Sequence, residues 1–160
     1  MDKNLLICDL KEIIAKELKI TSEAARSAHE AATHEELVAE NKYDTKGLEA
    51  SYLAGAQSKR AGELQLYIED LETSVELYSS SKETIGLGSL VHIKDEDENE
   101  KYLFALAHQG GYKLQQGPIS INTITLQSPM GRAMLSKNVE DDFELDIKDK
   151  KVFYEILTIY

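Results

Sequence analysis

The chain has 160 residues, 42% of them hydrophobic and 29% charged, and a net charge of −11. That balance suits a folded chain of one domain or two small ones, not a disordered one. The first 80 residues carry 9 Lys+Arg against 16 Asp+Glu and the last 80 carry 9 against 13, so neither half has the basic footprint of a direct DNA or RNA binder; a basic protein surface or a metal ion suits the acidic half better.

Cys8 is the single cysteine, which leaves no internal disulfide and no thiolate metal cluster. Met1 to Leu18 is interrupted by seven charged residues, so it reads as neither a signal peptide nor a membrane span, and the expected compartment is the cytoplasm.

Residues 1–46 contain no glycine and residues 1–117 no proline, so nothing breaks a helix there. Over 5–38, Leu6, Leu10, Ile13, Ile20, Ala24, Ala28 and Ala31 fall near one stripe, interrupted by Glu17 and widened by Ile14 and Leu18. From Ala50 the pattern is cleaner. Ala50, Ala54, Gln57, Ala61, Leu64, Ile68, Leu71, Val75 and Tyr78 alternate steps of four and three, which is a heptad seam. Large residues lie at the outer ends of both segments and alanines lie toward the middle. An antiparallel hairpin turning at 41–47 sets alanine beside alanine and leucine beside leucine. Its tip is acidic, with Glu35, Glu36, Glu40, Asp44 and Glu49 between Thr33 and Tyr52. His29 and His34 are five apart, not the four that would set two metal ligands on one helical face.

The helical signal stops at Ser79-Ser80-Ser81, and a domain boundary is expected at 79–87, dividing the chain into 1–80 and 81–160. Strand patterns follow at 90–93, 102–106, 119–126, 143–147 and 152–159. Asp95 to Glu100 lacks the glycine and glutamate of a calcium loop and reads as a solvated hairpin turn. Ser128 and Pro129 suit the N-cap and first position of a short helix whose Met130, Ala133 and Met134 face a sheet. Arg132 on that helix is expected to pair within its own domain. The fold class is α+β, with a strand–helix–strand unit among antiparallel partners.

Ser128-Pro129-Met130-Gly131-Arg132-Ala133 resembles the serine–proline–x–x–arginine–alanine helix of the Gre transcript-cleavage factors of bacterial RNA polymerase. Val139 to Glu144 resembles the acidic turn and strand that follow it, and Phe153 to Leu157 the family's last strand. Ala50 to Ala54 and Ile68 to Glu72 resemble its second coil helix. The resemblance spans essentially the whole chain. It implies an N-terminal antiparallel coiled coil and an FKBP-like C-terminal domain that docks beside the polymerase secondary channel, with Ser128, Pro129 and Arg132 as contacts. It implies no stably bound cofactor. Carboxylates of the coil tip reach the polymerase magnesium and help cut backtracked RNA at its 3′ end, so the chain is not an enzyme by itself. The family's tip pair falls on Thr45 and Leu48, while Asp44 and Glu49 each stand one position away. Asp44, Glu49 and, in reserve, Glu40 are therefore the candidate metal-contacting acids. A factor without that delivery would occupy the channel as a modulator or inhibitor. Two other readings are an FKBP-like prolyl isomerase, disfavoured by the absence of Trp and only three Phe, and a coiled-coil adaptor.

Overall fold

The computed structural model describes residues 1–33, 46–148 and 150–160. Two long helices come first, α1 (Lys3–Thr33) and α2 (Lys46–Thr73), followed by the short α3 (Val75–Ser79). Six strands and one further helix complete the chain: β1 (Leu90–Asp95), β2 (Glu100–Leu106), β3 (Lys113–Gln116), β4 (Ile119–Thr125), α4 (Pro129–Met134), β5 (Asp142–Ile147) and β6 (Lys150–Ile159). The chain divides into two compact units, Lys11–Asp70 and the combination of Met1–Leu10 with Leu71–Tyr160.

In the helical unit the seam of α2 is as expected, whereas Val75, which continues it in sequence, lies in α3 and is 37% exposed. Ala54 and Leu64 are buried, and Ala50, Gln57, Ala61 and Ile68 are half-buried. The seam of α1 differs from the expected stripe. Burial follows Lys3, Ile7, Leu10, Ile14, Glu17, Thr21, Ala24 and Ala28, again in steps of four and three. Ile20 is 68% exposed and Ala31 is exposed. The reason is chemical: three seam positions of α1 are polar, so the apolar pattern understates the repeat. Glu17 keeps its place because Arg60 Nη2 of α2 donates to its carboxylate. Both groups are about one-third exposed. They lie at similar distances from the break between the helices, which fixes an antiparallel register.

In the other unit the sheet order is β3-β4-β2-β1-β6-β5. Four neighbouring pairs are antiparallel, and β2 and β4 run parallel, a pairing the strand patterns alone do not specify. The parallel pair arises because the chain leaves β2, forms β3 at the edge, and returns through a tight turn into β4. β3 was not expected. Only Leu114 of its four residues is apolar, so there is no alternation to see. The legible signal is the two-residue turn Gly117-Pro118, where Gly117 takes φ +61. One face of the sheet buries Ile85, Val91, Ile93, Leu103, Phe143, Tyr154 and Ile156 together with Met134 of α4. Met130 and Ala133 pack against the same cluster, as their spacing predicts.

Lys3 joins four parts of this unit. Its side chain is 94% buried, since only 6% remains exposed. Its ammonium donates to the main-chain oxygens of Ser80, Gly88 and Tyr160, the last two at 2.9 Å. Burial, and then the charge of Lys82, bring its pKa down to about 8. An unfolded lysine holds its proton more tightly, so the unfolded chain binds more protons between pH 8 and the ordinary value of 10.5. The stability contributed by Lys3 therefore rises with pH across that window. Lys3→Met leaves three carbonyls without this donor and should cost about 2 kcal/mol in urea unfolding at pH 7. The gap between wild type and variant should widen at pH 9.5, and a gap that narrows would contradict the assignment.

Candidate functional site: the start of α2 and the α4 turn

The residues singled out by sequence fall in two places. Asp44 and Glu40, with Glu35 and Glu36, lie outside the described residues. Glu49 is described: it is exposed in the first turn of α2. A carboxylate there is favoured by the unpaired N–H groups at the helix start. Further along the turn, Ser51 Oγ donates to the carbonyl of Gly47 at 2.9 Å. The seam sets the rotation of α2, because Ala54 must face inward, and with it the direction in which Glu49 points. Among the described residues no group of three or more His, Cys, Asp or Glu side chains is placed to hold a metal ion. Glu49 is thus not part of a metal-holding cluster among these residues.

Sequence reasoning missed the apolar surface beside Glu49. Leu48 is 57% exposed, Tyr52 72% and Leu53 53%. The spacing Leu48, Tyr52, Gly55, Lys59, Gly62, Leu66 repeats the four–three step on the outward side of α2, and all six are exposed. Gly55, Lys59 and Gly62 interrupt the row, so it does not read as apolar in sequence.

The α4 turn is built as expected. Ser128 caps the helix, with its Oγ accepting from Gly131 N at 3.0 Å and donating to Thr125 O at 2.7 Å. Gly131 must be glycine, because a Cβ there would lie 2.1 Å from Thr125 O and 2.7 Å from Leu126 Cα. Ser128 thus shapes the turn, while Pro129 and Arg132 stand exposed on it. The expectation that Arg132 pairs within its domain fails: its side chain makes no hydrogen bond or ion pair among the described residues.

The domain family described as transcription elongation factor GreA/GreB, C-terminal, matches residues 80–160. Transcription inhibitor protein Gfh1 of Thermus aquaticus is 31% identical over 120 residues, covering 74% of this chain and 72% of that protein. Transcription elongation factor GreA of Rhodospirillum rubrum is 28% identical over 137 residues, covering 84% and 79%. A crystal structure of Thermus aquaticus Gfh1 aligns at 24% identity with a TM-score of 0.41, covering 93% of this chain and 92% of that one. The chain belongs to the GreA/GreB family of transcription elongation factors.

The α4 turn can be tested for its structural share. Ser128→Ala should lower stability by about 1 kcal/mol through loss of the cap. Gly131→Ala should cost more, about 3 kcal/mol, since backbone cannot yield as a side chain can. Gly62→Ala, where nothing lies within 4 Å of the added Cβ, should instead stabilise by about 1 kcal/mol. Thermal unfolding of the three variants ranks them, and a stable Gly131→Ala protein would sink this account of the turn.

Proposed function

We propose that this chain binds bacterial RNA polymerase beside its secondary channel, enters the channel with the tip of its helical hairpin, and so regulates elongation. The observation that carries the reading is Glu49, exposed at the start of a helix whose seam narrows to alanines on that side. Small seam residues let two helices approach closely, which suits a narrow passage. On this reading the polymerase is the catalyst and works in the cytoplasm. The factor lends it carboxylates, from Glu49 together with Asp44 or Glu40 of the connecting segment. Magnesium takes carboxylate oxygens readily. An added acid ligand helps a second metal and its water attack the phosphodiester of backtracked RNA, with the metals stabilising attacking and leaving oxygens. The net charge of −11 supports a protein partner and disfavours direct contact with nucleic acid.

A second reading has its own support. Leu48 stands exposed where the family pattern carries an acid, and one relative bears the name of a transcription inhibitor. In that case the chain fills the channel without delivering a metal. Pro129 and Arg132 serve as docking contacts in either case, since both are exposed and Arg132 has no task inside its domain.

The deciding experiment measures RNA cleavage in a stalled, backtracked elongation complex. Wild-type protein should accelerate cleavage, and Asp44→Ala and Glu49→Ala should each lose about tenfold or more. Slowed synthesis without cleavage would select the inhibitor reading. Failure to bind core polymerase at all would defeat both. Arg132→Ala should weaken polymerase binding severalfold while leaving the thermal unfolding of the free chain unchanged.

A further inference from the structure

The outer edge of the sheet at β5 has a chemistry that the polymerase reading does not use. β5 is the last strand in the order and, among the described residues, pairs only with β6. The register Ile147↔Lys150 across a two-residue turn, with Ile156 N donating to Asp141 O, sets the inward-bonded residues. Phe143, Leu145 and Ile147 direct their main-chain groups at β6. Those of Asp142, Glu144 and Asp146 therefore point away from the sheet. The same three residues put their side chains on one face, and all three are exposed. On the opposite face Phe143 is buried, Leu145 half-buried and Ile147 39% exposed.

A groove of about 440 Å³ lies at this edge, lined by Ala133, Lys137, Asp142, Phe143, Glu144 and Phe153. Phe153 is 49% exposed. Edge strands are ordinarily blunted by lysine, proline, shortness or a covering element. β5 has six residues and no lysine or proline. Its protection is charge, mostly negative, from Asp142, Glu144 and Asp146. Lys151 pairs with Glu144 at 2.8 Å and feels Asp146 as well, so the edge keeps two carboxylates in excess of that cation.

Charge selects the occupant. A second copy pairing through β5 would set carboxylate against carboxylate across the new ladder, which is unfavourable. A strand with lysine or arginine at alternate positions meets Asp142, Glu144 and Asp146 on one face. Its intervening apolar residues extend the row Phe143, Leu145, Ile147 on the other. We propose that the free edge of β5 receives an extended segment of a partner protein with alternating basic and apolar residues, added as a seventh strand. Main-chain hydrogen bonds supply the register and the acids supply the selection. This proposal stands apart from the polymerase reading, and its test needs no polymerase.

The probe is a seven-residue capped peptide alternating lysine and valine, compared with the same peptide carrying glutamate in place of lysine. Both are titrated against the full chain, with amide hydrogen exchange followed by NMR. The lysine peptide should bind and slow exchange at Asp142, Glu144 and Asp146 by about fivefold or more, with a salt-dependent affinity. The glutamate peptide should not. Glu144→Pro, which removes an outward N–H at a position where an edge strand tolerates proline, should abolish the protection. Asp142→Lys with Asp146→Lys keeps the edge and reverses its charge, so preference should pass to the glutamate peptide. That double variant decides the matter if Glu144→Pro fails to fold. Equal binding of both peptides, protection elsewhere, or no binding would overturn the proposal.

Discussion

The sheet unit depends on one buried ammonium group. Lys3 gathers the end of α3 at Ser80, the turn at Gly88 and the end of β6 at Tyr160 around the first turn of α1. These segments are separated by as much as the whole chain in sequence, and their main-chain oxygens meet the ammonium directly. Gly88 shows how tightly the parts fit: it holds φ +84, and a Cβ would lie 2.6 Å from Leu77 O. The first turn of α1 has a second fastening at Asp2, whose N–H and carbonyl exchange hydrogen bonds with the side-chain amide of Gln116. The first turn of α1 is thereby fastened within the sheet unit.

The helical unit relies on a different balance. Its seam is rich in alanine on the side of the break, and small residues bury little apolar area. Glu17 and Thr21 occupy two further seam positions of α1. The cost in hydrophobic burial is offset by specificity, because Arg60 meets Glu17 in only one register. The exposed glycines of α2 act in the opposite direction. Gly55 and Gly62 contact nothing that would resist a methyl group, so their cost in helix propensity is not recovered inside the unit.

Much of this was legible in the sequence. The four–three seam of α2, the Ser128 cap with Pro129 behind it, and five of the six strands follow from residue spacing alone. What escaped did so for physical reasons. The seam of α1 hides behind Lys3, Glu17 and Thr21, polar residues whose burial rests on partners far away in sequence. β3 hides because an edge strand with one buried residue has no alternation to display. The parallel pairing of β2 and β4 is a matter of topology, which local patterns do not encode. Arg132 was expected to find a partner nearby, but a six-residue helix packed on the sheet places none beside it. Of the candidate acids, Glu49 is fixed by the start of α2, and Asp44 and Glu40 lie outside the described residues.

The position of Glu49 also bears on how the tip of a Gre-family coil can diverge. Each step along a helix turns a side chain by about 100°. Leu48 and Glu49 therefore point in different directions, and the chain cannot rotate α2 to exchange them without pulling Ala54 and Leu64 out of the seam. A one-residue displacement of an acid at the helix start is thus a change of aim as well as of place. In this chain the seam and the Glu17–Arg60 pair hold that aim in place.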